Sequence, residues 1–304
     1  MTQEPPSVDV FYGSLIMIFT GIYSLGINLY VLYRVRTLKI FGESFEKISI
    51  SQSISNCGNA VCFGFLVPAI SLLNPAFHET YWGRRAGQLL IFFWFGNLFS
   101  HILASVNRCC CIFFPTYYSL VFGNQPTKFF ICLSWTLATF QAIPYFIPIC
   151  VFQFDMSSLS FEFGDTPCAP IIGYYLDLYF DFVAICLMSC IDLVTLWKVK
   201  KFASKTASRQ DNCRKRRKDV QLLFQVIAQA GIAIFELNSY YFGSKLFNSK
   251  LIKFSSTTLF WMLLQMGDGA IVIIFNKELR TLRKPESSFS HTAGDLRVFV
   301  TSDL

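Results

Sequence analysis

The sequence predicts an all-α membrane protein, a bundle of seven transmembrane helices. Three observations predict it. Hydrophobic residues make up 53% of the 304 and charged residues only 15%, whereas soluble domains carry about 25% charged residues. Apolar stretches of ~20 residues, the length that crosses the hydrocarbon core as a helix, recur seven times. The Lys and Arg residues gather in the connections on one side of those stretches.

In order, the stretches are 11–33, 48–73, 86–113, 128–151, 171–197, 220–242 and 254–275. They divide the chain into a short amino-terminal segment 1–10, a helical domain 11–275 and a tail 276–304. The apolar run after MTQEPPSVDV exceeds a signal-peptide core and has no A-x-A site, so it reads as a retained first span. Span two holds SQSISNCGNA (51–60), small and polar, which suits close packing inside a bundle. Pro68, Pro144 and Pro148 predict kinks within their spans. Connections 34–47, 108–128 and 198–219, with the tail, hold twenty-one of the twenty-six Lys and Arg. The positive-inside rule then puts the amino terminus outside and the tail in the cytoplasm of a plasma-membrane protein. The run Arg214 to Lys218, with Arg216, Arg217 and Lys218 at the mouth of span six, fixes orientation and touches anionic membrane lipid.

Enzyme chemistry has little to rest on. No G-x-x-x-x-G-K-[ST] loop, H-E-x-x-H or G-x-S-x-G elbow occurs. Three His are too few for a multi-histidine metal site, and span seven has no Lys for a Schiff base. No cofactor and no metal are expected. The net charge of +7 is confined to connections, so no nucleic-acid partner is expected either. Most of the eleven Cys lie within apolar stretches and act as small hydrophobes. Cys168 is either free or paired with Cys150 or Cys62, a choice that spacing does not settle.

Ionisable residues inside spans are costly and mark function by default. Asp177 and Asp181 lie one turn apart in the outer half of span five, and Glu236 in the outer half of span six. Together they are expected to line a ligand pocket open to the outside beneath the loop 152–170. Its Phe, Tyr and Trp lining suits a small, mostly apolar ligand. The alternative for each acid is a purely structural hydrogen bond. His101 and Asp268 lie deeper, and with Asn28 and Asn59 they are expected to form an intramembrane polar network. Asp192 completes the set of intramembrane acids.

Span three ends in Asn107-Arg108-Cys109, and Pro115 follows in the next connection. An Arg at that depth either snorkels to the interface or holds a neighbouring helix in one of two states. The motif resembles the acidic-Arg-Tyr signature of rhodopsin-like receptors, with Asn107 in place of the acid. Over nearly its whole length the chain also resembles the nematode serpentine receptor class X chemoreceptors. The residues that carry the likeness are Phe41-Gly42, NRCCCIFFPTYYSLVF (107–122), Trp135, CVFQFD (150–155), RRKDVQLLFQVIAQ (216–229), Trp261 and GDGAIVIIFNKELR (267–280).

The resemblance implies a G-protein-coupled receptor fold in sensory neurons, with a heterotrimeric G protein as partner and a small external molecule as ligand. It places Asn107, Arg108 and Pro115 at the G-protein-facing switch, with 114–127 and 198–219, including Arg216, Arg217 and Lys218, as the coupling surface. Ligand binding is expected to favour a state in which span six moves away from Arg108. The rivals are a receptor for an internal peptide or hormone, and a seven-span channel or transporter. The chain departs from rhodopsin-like receptors in having no Asn-Pro-x-x-Tyr in span seven, no Pro in span six and no Cys between Asn74 and Leu90. In the tail, FNKELRTLRK has the pattern of a membrane-surface helix. Ser287, Ser288, Ser290 and Thr292 are candidate phosphorylation sites, and the end at Leu304 has the form of a PDZ ligand.

Overall fold

The computed structural model describes residues 7–38, 42–203, 228–243 and 249–280. Arg216, Arg217, Lys218 and Leu304 lie outside the described residues. Six helices among those described are long and apolar enough to cross a membrane: Val8–Leu38, Glu43–Leu73, Arg85–Phe113, Asn124–Phe146, Ile171–Lys201 and Lys250–Phe275. They are spans one to five and seven. The described part of span six is the helical stretch 228–243.

Span three is the hub and packs against spans two, four and five, while span one packs against two and seven. The bundle encloses polar side chains beside its apolar core and is apolar outside. Asn28 and Asn59 are 1% and 0% exposed, whereas Phe19 and Phe235 are 60% and 58% exposed. That arrangement fits a lipid surround, where apolar side chains can face outward and polar groups must find partners inside. Spans one and two touch through backbone. A Cβ on Gly21 would lie 2.4 Å from the Gly64 Cα, so only glycine permits the approach. Serines do the same service between spans two, three and four. Ser51 Oγ lies 3.0 Å from Ser100 Oγ and accepts the indole N–H of Trp135 at 3.0 Å.

Four spans carry a π-helical segment: Cys62–Leu66, Ile171–Tyr179, Ser239–Gly243 and Ser255–Leu259. In span two the cause is near at hand. Val67 donates to Cys62 O, five residues back, directly before Pro68, which has no N–H to give. Such segments are rare and reset the facing of every side chain beyond them. Span four leaves the helix earlier than the apolar run predicts. A 3₁₀ turn at Ile143–Phe146 ends it, because Pro144 and Pro148 cannot continue an α-helix. After span seven a short helix, Lys277–Arg280, turns back onto span one. Leu279 is fully buried there, and its carbonyl accepts the Tyr30 hydroxyl at 2.7 Å.

The connection 152–170 is not a plain loop. Phe152–Asp155 (β1) pairs antiparallel with Ser160–Phe163 (β2), with Phe152 opposite Phe163 and Asp155 opposite Ser160. A two-stranded hairpin is marginal alone; this one is held by its surroundings. The disulfide Cys150–Cys168 ties its two legs, with Cα atoms 5.0 Å apart, and Cys62 is free. Asp155 closes the turn by accepting the backbone N–H of Ser157 at 3.1 Å and of Ser158 at 3.0 Å, along with both hydroxyls. Partial burial pushes its carboxyl up, but these four bonds outweigh that and hold it below its ordinary value. Strand alternation turns Phe152, Phe154 and Phe161 into the bundle, where all three join its main apolar core. Gly87 of span three makes the docking feasible, because a Cβ there would lie 2.2 Å from the Phe152 carbonyl oxygen.

The hairpin is anchored on three further sides. Leu159, at φ 54°, places its side chain against Gly13 of span one. Its carbonyl accepts the Thr258 hydroxyl of span seven at 2.9 Å. The Phe161 carbonyl accepts the Tyr240 hydroxyl of span six at 2.8 Å. Beside the hairpin, His78 stacks on Phe154 with ring centroids 5.1 Å apart and hydrogen-bonds Ser71 at 2.9 Å. Burial pulls the His78 imidazole down to about 4, so it is neutral near pH 7.

Candidate functional site

Asp177, Asp181 and Glu236 come together beneath the hairpin. Asp177 lies on the π-helical opening of span five, and Asp181 follows one turn later on the same face. Their relative exposures are 9%, 1% and 5%, so all three are buried. Asp177 accepts the Tyr241 hydroxyl at 2.6 Å, and Asp181 accepts the indole N–H of Trp94 at 2.7 Å. The other Asp181 oxygen has no partner, nor has the buried indole N–H of Trp261. Among the described residues no Lys, Arg or His pairs with any of the three acids.

The expected pocket open to the outside is not found at the acids, because the hairpin fills its mouth. What remains is a cavity of about 20 Å³ lined by Asp177, Glu236, Leu237 and five rings: Trp94, Phe152, Tyr240, Tyr241 and Trp261. It holds roughly one water-sized group. The rings meet edge to face, with Trp94 and Trp261 centroids 5.5 Å apart at 85°. A larger pocket of about 510 Å³ lies to one side, between the hairpin and spans five, six and seven. Tyr240 and Tyr241 line both cavities and form the partition between them.

A second cluster occupies the other end of the bundle. Arg108 donates to Asp192 of span five from Nε at 3.1 Å and from Nη2 at 3.0 Å, and Ser105 donates to the same carboxylate at 2.7 Å. The ion pair is mostly buried, with side-chain exposures of 14% and 7%. Arg108 is therefore held within the bundle, and its ion-pair partner among the described residues is Asp192 of span five. Asn107 donates to the Tyr118 hydroxyl at 3.1 Å and so pins the following connection, in which Pro115 is exposed.

Between the two clusters lies the polar network. Asp268 accepts from Asn97 at 3.1 Å and meets His101 Nε2 at 3.1 Å, an ion pair when His101 is protonated. The Gln52 amide sits against the His101 ring. Asn28 donates to Gln265 O at 3.2 Å and accepts from Asn56 at 3.2 Å. No hydrogen bond ties Asn28 directly to Asp268, and Asn59 stands apart, buried with neither side-chain polar atom bonded. A narrow cavity of about 60 Å³ touches Trp94 at one limit and Arg108 with Asp192 at the other, and passes His101 and Asp268. Fourteen residues of helix separate Trp94 from Arg108, roughly 20 Å at the usual rise.

Sequence reasoning passed over Trp94, Ser105, Tyr240 and Tyr241, and it gave Asp192 no partner. A signal for the last was present. Asp192 and Arg108 lie at matching distances from the same ends of their spans, and a lone acid and a lone base at one depth are natural partners.

Comparison with known proteins agrees with this architecture. Residues 18–276 match the family described as Serpentine type 7TM GPCR chemoreceptor Srx. Similar proteins include Serpentine receptor class X 45 of Caenorhabditis elegans, 24% identical over 294 residues that cover 90% of this chain and 81% of that protein. Serpentine receptor class X-43 of the same organism is 26% identical over 285 residues, covering 90% of this chain and 86% of that protein. The family match takes in most of the membrane bundle, and the chain belongs to the Srx family of serpentine seven-transmembrane chemoreceptors.

Proposed function

We propose that the chain is a G-protein-coupled chemoreceptor that takes up a small external molecule beneath the hairpin and activates a heterotrimeric G protein at the opposite face. The observation that carries this reading is the buried Arg108–Asp192 ion pair joining spans three and five. A buried pair is a two-state element. Made, it fixes the two helices; broken, it leaves charges that need a new partner. A ligand shifts such an equilibrium only by its differential affinity for the two states. Trp94 offers the connection, because it holds Asp181 at the hairpin end and lines the narrow cavity that reaches Arg108.

The orientation follows from charge and redox chemistry. Twenty-one of twenty-six Lys and Arg fall on the Arg108 side, which the positive-inside rule assigns to the cytoplasm. A disulfide at the hairpin end suits the oxidising exterior. The connections 114–127 and 198–219 then face the G protein.

The test is basal signalling in cells, read by energy transfer between tagged G-protein subunits. Asp192→Asn frees Arg108 and raises basal activation several-fold. Arg108→Glu reduces it to the level of mock cells while surface expression persists. Equal signal from both variants and the unaltered chain sinks the reading.

A further inference from the structure

We infer that the small cavity beneath the hairpin binds an organic cation, an amine whose charged nitrogen sits beside the Asp177 and Glu236 carboxyls and among the rings of Trp94 and Trp261. This rests on the receptor reading and supplies the ligand class that reading leaves open. It also alters the sequence expectation of a mostly apolar ligand.

Buried acids elsewhere in the bundle are met within the chain. Asp192 has Arg108, and Asp268 has His101 and Asn97. The three acids under the hairpin have no such partner among the described residues. Asp177 and Asp181 accept one neutral donor each, and among the described residues no hydrogen bond or ion pair reaches Glu236. Glu236 is 5% exposed and lines the cavity directly. Buried charges are normally paired or bound to metal. No group of three or more His, Cys, Asp or Glu among the described residues is placed to hold a metal ion, so a metal is not the natural counter-charge here.

The walls instead favour an organic ion. Five of the eight lining residues are aromatic, and ring faces attract ammonium groups, tryptophan most strongly. A volume of about 20 Å³ takes a small charged head. Tyr240 and Tyr241 line both this cavity and the larger pocket of about 510 Å³, so the remainder of a longer amine reaches that pocket by displacing them. Trp94 lines both this cavity and the inner one, which couples occupancy to the indole that reaches Arg108.

The experiment uses the full-length chain in lipid nanodiscs without G protein, with thermal unfolding followed by tryptophan fluorescence. The probes are methylammonium and phenethylamine, with phenethyl alcohol as the uncharged counterpart and sodium chloride as an inorganic control, all at matched millimolar concentration. At least one amine raises the melting temperature by several degrees, and neither the alcohol nor sodium does. Glu236→Gln, which keeps shape and removes charge, weakens the amine effect by about tenfold or more in apparent Kd. No shift with either amine, an equal shift with the alcohol, or an equal shift with sodium overturns the proposal. If the variant does not fold, the charged-against-neutral comparison on the unaltered chain still decides. Because the assay contains no G protein, its failure leaves the signalling reading to the basal assay, and the reverse holds as well.

Discussion

At one end of the bundle a buried carboxylate is matched by a buried guanidinium on the neighbouring helix. At the other end three buried carboxyls lie beneath the hairpin among aromatic rings, with no basic side chain beside them among the described residues. The first arrangement is complete: Asp192 receives Arg108 and Ser105, and its charge is answered in place. The second is incomplete: among the described residues one Asp181 oxygen and the Trp261 N–H are buried without partners, and no basic side chain pairs with Glu236. Lipid enforces the same rule at both ends, since it offers no compensation to an uncovered polar group. The difference teaches that closure differs too. The Arg108 end is tied by electrostatics between two helices, whereas the hairpin end is tied covalently and by packing, around a space whose polarity the chain does not itself satisfy.

The largest expected effect breaks the complete end. Arg108→Gln or Asp192→Asn alone leaves one buried charge uncovered and costs about 3–5 kcal/mol of stability. The double variant recovers most of that loss. A thermal-unfolding cycle over the four forms checks it, and additive losses would mean that the pair is not coupled.

The next effect is at the hairpin end. Cys168→Ser removes a cross-link spanning 18 residues. A loop of that size is worth roughly 3 kcal/mol. The variant melts lower than the unaltered chain, and added reductant narrows the gap. Reductant should leave an Arg108 variant no closer to its parent than before, which separates the two kinds of closure.

The smallest effect sharpens the comparison by pH. His78 sits at about 4 when folded, against an ordinary value near 6.5. The unfolded chain therefore binds the proton first, and stability falls as pH drops from about 6.5 toward 4. Asp155, held below its ordinary value, adds to the loss in the same direction at lower pH. His78→Gln should flatten the upper part of that slope, as read from melting temperatures across the range.

The membrane class and family of this chain were legible in its sequence, for a physical reason. Lipid demands long apolar runs, and orientation leaves its mark in Lys and Arg, so both signals are written locally. The hairpin was not legible. Phe152-Gln153-Phe154-Asp155 alternates over only four residues, too short a pattern to stand out from a loop, and its partner strand depends on the turn at Leu159. Pairings across the bundle were equally hidden. Arg108 and Asp192 are 84 residues apart, and no local pattern tells which helix stands beside span three. Cys168 posed the same problem, since the choice between Cys150 and Cys62 depends on where the hairpin folds. Asn59 shows the converse. Its depth and residue type suggested a network member, yet among the described residues neither of its side-chain polar atoms is bonded.

The hairpin also sets a tempo. It is fastened by the disulfide, by Tyr240 on span six, by Thr258 on span seven and by Gly87 and Gly13, which accept its backbone and its tip. Anything that reaches the space behind Phe152 must wait for several of these to let go together, and must wait again to leave. On the receptor reading proposed above, a ligand held in that space would both enter and leave slowly.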